Sequence, residues 1–161
     1  MDDAERRLRW RGEALIARAS SPPWEVVDLL TELGYAAAAV AGCGLAAPDV
    51  VEGFLVDVAD ALVVRGCDWL TPTFPDLPNV AALYTTVLGA GSHALASDLA
   101  PKTYVAGLVG ELVERVKAEP TFEAMVEARR QVVVASDALG VGDEAVGAFD
   151  DAMVAAGLLE R

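Results

Sequence analysis

Few side chains in this sequence could carry chemistry. His93 is its single histidine, and Cys43 and Cys67 are its two cysteines. A zinc site with three or four nitrogen or sulfur ligands is therefore almost excluded. Di-iron bundles need two Glu-x-x-His motifs and are excluded outright. Ser92, His93 and Asp98 are too close together in the chain to converge as a triad. His93 is the best single titratable candidate, because it sits at a glycine break. Asp57-x-x-Asp60 places two carboxylates one helical turn apart, a spacing that can hold a divalent ion between oxygens. The plainer reading is an acidic, solvated helix face, and we expect no metal and no cofactor.

Gly89-Ala90-Gly91-Ser92-His93-Ala94 matches G-x-G-x-x-A, the dinucleotide fingerprint, in letters. Its context does not fit. Pro101 cuts the following helix short, Glu111 falls inside a helical pattern, and no alternating strands surround it. Gly42 and Gly44 lack the Lys and Ser/Thr of a phosphate cradle.

Composition narrows the classes further. The net charge is −13 over 161 residues. Residues 1–20 hold five arginines against four acids, a net of +1, which leaves −14 for residues 21–161. Such a body repels phosphate backbones and anionic lipid surfaces, so neither nucleic acid nor membrane is an expected partner. The charged N-terminus lacks a signal-peptide core, and two cysteines make no disulfide framework, so a cytoplasmic protein with reduced thiols is expected.

The elements follow from hydrophobic periodicity. A first helix is expected from Asp2 or Asp3 to about Ala19, with Ala4, Leu8, Leu15, Ile16 and Ala19 on one face. Its Arg7, Arg11 and Arg18 should pair with the acidic body or a second subunit. Ser21 caps a second helix with Pro22 at its first position, running Trp24–Leu33 and ended by Gly34. Tyr35–Ala47 reads as a short buried helix. Pro48–Gly66 carries Asp49, Glu52, Gly53, Asp57 and Asp60 on one arc and apolar residues elsewhere, which places it at the centre of a bundle.

Cys67–Asn79 cannot be helical, because Pro72, Pro75 and Pro78 fall three apart and match a polyproline II repeat. Trp69, Phe74 and Leu77 add apolar surface to this strap. A helix over Val80–Leu88 should follow. Pro101–Ala118 should bury Tyr104, Val105, Leu108, Val109, Leu112, Val113 and Val116. Thr121 caps the next helix, to Leu139, with Phe122, Met125, Val126, Val132, Val133 and Leu139 inside.

Ala135–Glu160 (ASDALGVGDEAVGAFDDAMVAAGLLE) resembles the helix-turn-helix of bacterial regulators over 26 residues. Its would-be reading helix holds Asp143, Glu144, Asp150 and Asp151 and no Lys or Arg. That surface cannot contact guanine or phosphate, which leaves two helices joined by a short turn.

The expected fold is all-α, a single-domain bundle of about seven helices, with halves 1–66 and 79–161 joined by 67–78. The expected role is non-enzymatic interaction or assembly, as a homo-oligomer or with another protein, through apolar helix faces and the Trp69–Pro78 segment. The rival is a binder or converter of a small apolar ligand. Its pocket would lie between the halves, lined by Phe54, Trp69, Phe74, Tyr84 and Tyr104 with His93 or Asp68 as polar group. The candidate ligand- or partner-binding residues are Trp69, Phe74, Leu77, Tyr84, His93 and Tyr104. A third reading is an acidic partner or inhibitor of a basic protein.

Overall fold

A computed structural model describes residues 3–70 and 100–160. The described residues form six α-helices and no strands: α1 (Asp3–Ala17), α2 (Pro23–Gly42), α3 (Pro48–Val64), α4 (Pro101–Ala118), α5 (Phe122–Leu139) and α6 (Glu144–Ala155). The fold is all-α, with six helices among the described residues where about seven were expected of the whole chain. The expected helix Val80–Leu88 lies outside the described residues. No helix among the described residues is long and apolar enough to cross a membrane.

Several boundaries follow from single residues. Pro48 and Pro101 each open a helix, where a missing N–H costs nothing. Thr121 caps α5, its Oγ1 accepting from the Ala124 N–H at 3.0 Å. Gly140 ends α5 with φ +67, and the Val141 N–H then reaches back to the Ser136 carbonyl. This backward bond is the Schellman closure, and it needs the left-handed conformation that glycine adopts without strain.

Two expectations about the second helix fail. Its N-cap is Pro22 rather than Ser21, with Pro23 as the first helical residue. Gly34 does not end it, and the helix runs on to Gly42. Ala36–Ala39 are strong helix formers, and their packing outweighs the modest cost of one glycine. The chain turns only at Gly44, where φ is +67.

The centre of the bundle is also elsewhere than expected. Every residue from Ala36 to Cys43 is buried, so this part of α2 is enclosed on all sides. α3, expected at the centre, packs on the flank and leaves Val50 and Val64 exposed. Among the described residues two apolar clusters make up the core. The first joins α1, α2 and α3 with Cys67 and Leu70, and takes Val134 and Ala138 from α5. The second joins α4, α5 and α6, and takes Ala39 and Cys43 from α2. α2 and α5 thus belong to both clusters and lie against each other.

Close approach depends on glycine at positions 12 and 42. A Cβ on Gly12 would stand 2.6 Å from Cζ of Phe54, the ring that also lies under the Arg9 guanidinium at 5.6 Å. A Cβ on Gly42 would stand 2.4 Å from Cε2 of Tyr104, a residue with no exposed surface. Gly42→Ala is expected to destabilise the protein by about 1–2 kcal/mol, because the buried ring has no room to yield. Gly110→Ala, with nothing within 4 Å of the added methyl, should instead stabilise by up to about 1 kcal/mol. Urea midpoints of the two variants check the contrast.

Candidate functional site

The expected burial of α4 holds at all seven positions, Tyr104, Val105, Leu108, Val109, Leu112, Val113 and Val116. α5 departs from its expectation. Val132 is buried and Met125 and Leu139 are partly so, but Phe122, Val126 and Val133 face outward, at 72%, 46% and 39% exposed. The buried face of α5 is built mainly from smaller residues, among them Ala128, Ala135, Ser136 and Ala138, with Val132, Val134 and Gln131. At 100° per residue, Phe122, Val126 and Val133 fall within about 40°, roughly opposite the alanines. An enclosed, alanine-rich α2 leaves room for small residues on the helix beside it, so the larger ones are turned out.

Trp10 on α1, 65% exposed, extends this stripe. It shares a surface hollow of about 660 Å³ with Val133, Arg7, Arg11 and Asp137. A second hollow, about 480 Å³, continues beside it over Val126, Val133, Arg129 and Arg130. The stripe therefore runs along a groove-sided face made by α1 and α5.

Ion pairs hold this face in place. Arg7 donates to the Asp137 carbonyl at 3.2 Å and lies 3.7 Å from its carboxylate. Arg11 donates to the Asp137 carboxylate and stands 4.0 Å from Glu32. Two arginines of α1 thus meet the C-terminal end of α5, where the helix dipole favours positive charge. Arg18 pairs with Glu25 at 2.6 Å. These contacts match the expectation that the α1 arginines pair with the acidic body. Arg130 reaches across to α2, donating to the Asp28 carbonyl at 2.9 Å and lying 3.4 Å from both Asp28 and Glu32. Arg129 forms a two-pronged pair with Asp150 at 3.0 and 3.2 Å. Its charge is thereby matched within its own chain, and the stripe beside it stays apolar.

Tyr35 of α2 donates to Glu127 of α5. Burial first, and the neighbouring Glu127 carboxylate second, push the Tyr35 hydroxyl above its ordinary range. Burial alone pushes the Cys43 thiol from 9.0 up to about 11. Burial, and then the Asp68 charge, raise the Cys67 thiol, whose Sγ donates to the Ala19 carbonyl at 3.2 Å. Neither thiol has thiolate character at neutral pH.

Of the site residues expected from sequence, Phe74, Leu77, Tyr84 and His93 lie outside the described residues, as do Gly89–Ala94 and the three strap prolines. Cys67–Leu70, the start of the strap, folds onto the first cluster, with Cys67 and Leu70 buried and Trp69 partly so. Tyr104 is enclosed in the second cluster. Of the described members of that set, Phe54 and Trp69 thus pack on the first cluster and Tyr104 lies in the second. Asp57 and Asp60 lie exposed on α3, as the acidic arc predicts. A separate apolar hollow of about 230 Å³ lies between α4 and α6, lined by Val105, Val109, Val141 and Ala145 among others.

The outward residues Trp10, Phe122, Val126 and Val133 were not legible as a surface from hydropathy. The signal was present in the spacing of Ala128, Ala135 and Ala138, which marks the opposite face of α5. Comparison of the chain with protein-family models, with curated proteins and with solved structures finds no match.

Arg130→Met keeps the aliphatic stem and removes the donors. It is expected to cost about 1–2 kcal/mol in a denaturant titration, since Glu32 and the Asp28 carbonyl lose a largely buried cation. The raised thiols set a pH dependence. Above pH 9 the unfolded chain gives up a Cys43 proton that the folded chain retains until about 11. Stability should therefore fall as pH rises through that window, with Tyr35 adding to the fall above its ordinary 10.0. Thermal melts of Cys43→Ala should show a shallower decline than wild type.

Proposed function

We propose that this protein works by association, using the α1/α5 face to join another protein subunit, and that it carries out no reaction of its own at that face. One observation supports this reading above the rest. The large apolar side chains of α5 that could have filled the core are held outside it, in line with an exposed tryptophan. Aromatic residues flanked by arginines are the composition that interface centres favour. A lone exposed apolar side chain calls for no explanation, but a row of four on two ion-paired helices does.

The face also avoids the chain's main obstacle to association. With a net charge of −13, copies of this protein repel one another over most of their surface. Around the stripe, Arg7, Arg11, Arg129 and Arg130 are each matched by a carboxylate. Along the middle and the Trp10 end of the stripe a partner can approach without meeting unbalanced negative charge. Two helices about 10 Å wide and 25 Å long present on the order of 500 Å², at the small end of specific interfaces. An interface of that size falls in the range of dissociable rather than permanent contacts.

Sedimentation velocity across a concentration series tests the reading. Wild type should show a reversible shift in mass. Phe122→Ser with Val126→Ser should keep the fold, because neither side chain is in the core, and should weaken association at least about tenfold. A wild type that stays monomeric at hundreds of micromolar would contradict the reading.

A further inference from the structure

We propose, resting on that reading, that the occupant of the α1/α5 face is a second copy of this chain, in a closed twofold dimer with the two α5 helices antiparallel. Phe122 of one protomer then lies against Trp10 of its partner, and Glu123 of one faces Arg6 of the other.

The layout of the face carries this. The stripe has an aromatic at each end, Phe122 at the start of α5 and Trp10 beside its end, with Val126 and Val133 between them. Phe122 and Val133 are about 16 Å apart along the helix. A twofold axis lying in the plane of the face and perpendicular to α5, near the middle of the stripe, brings each end over the opposite end of the other copy. Every contact then occurs twice, as an isologous interface requires.

Charge selects this arrangement over its alternative. The Phe122 end is acidic, with Glu119 and Glu123 both exposed. The Trp10 end is basic and acidic in balance. Arg6 lies there in a hollow with Trp10, Asp3, Arg7 and Asp137, and among the described residues it pairs with Asp3 at 2.9 Å. A parallel pairing would set Glu123 on Glu123 and align the two helix dipoles. The antiparallel pairing sets Glu123 beside Arg6 and opposes the dipoles, which is favourable. It also buries a face whose arginines Arg7, Arg11, Arg129 and Arg130 are each matched by a carboxylate of the same chain. A twofold contact closes on itself, so the assembly stops at two and does not grow into a filament.

Charge reversal tests the register. Glu123→Arg and Arg6→Glu are each expected to raise the dimer Kd about tenfold, measured by sedimentation with helicity checked by circular dichroism. The double variant should return to within about threefold of wild type. In a parallel pairing, position 123 faces itself whatever its sign, and no rescue occurs. A dimer that is lost in Phe122→Ser but fails to respond to the reversals, or is not rescued in the double variant, overturns the antiparallel register while leaving association through this face standing. A wild type that is monomeric throughout overturns both.

Discussion

The packing of α2 against α5 is the contact on which the rest depends. From Ala36 to Cys43, α2 is enclosed on every side by other parts of the protein. Enclosure is only workable with small side chains, and the segment reads AAAAVAGC. Where two helices meet through alanines, their axes can come close, and the neighbours must supply matching small faces or rings that fit over glycine. α5 supplies Ala128, Ala135 and Ala138. α4 supplies Tyr104, whose ring lies over the Gly42 backbone. Val134 and Ala138 tie α5 to the first cluster, while Ala39 and Cys43 tie α2 to the second. The two clusters are therefore held together by one helix pair.

That pairing determines what faces outward. A helix with alanines on one side and Phe122, Val126 and Val133 on the other can bury only one of those sides against α2. Burying the alanines loses less space to misfit and leaves the larger residues on the surface. The ion pairs around them are consistent with the same geometry. Arg130 bridges α5 to Asp28 and Glu32 on α2, and Arg7 and Arg11 hold α1 against the end of α5. Partly exposed pairs of this kind contribute little stability each. Their greater effect is positional: they fix α1 beside α5, so that Trp10 stands in line with the stripe.

Much of the fold was legible where periodicity was strong and uninterrupted. α4 runs from a proline to a Glu-Pro stop, and all seven of its inward positions were readable. The extent of α2 was not, because Gly34 looks like a stop and only tertiary burial shows that the chain continues through it. The face of α5 was misread for a different reason. Hydropathy ranks phenylalanine and valine above alanine, and so assigns Phe122, Val126 and Val133 to the interior. Size complementarity with α2 outranks hydropathy here, and it depends on a neighbour about 90 residues away in the chain. The same limit hid the association face. Of the expected site residues, Phe54, Trp69 and Tyr104 are placed, the first two on the flank of one cluster and the third deep in the other.

Native-state hydrogen exchange tests the central claim most directly. If α2 and α5 form the common spine, the amides of Ala36–Val40 and Val132–Ala135 should be the slowest in the protein. They should exchange only with the free energy of global unfolding, as measured independently by denaturant. Exchange of the α2 amides through a smaller opening, while α4 and α6 stay protected, would mean that the second cluster stands without α2 and would contradict the account.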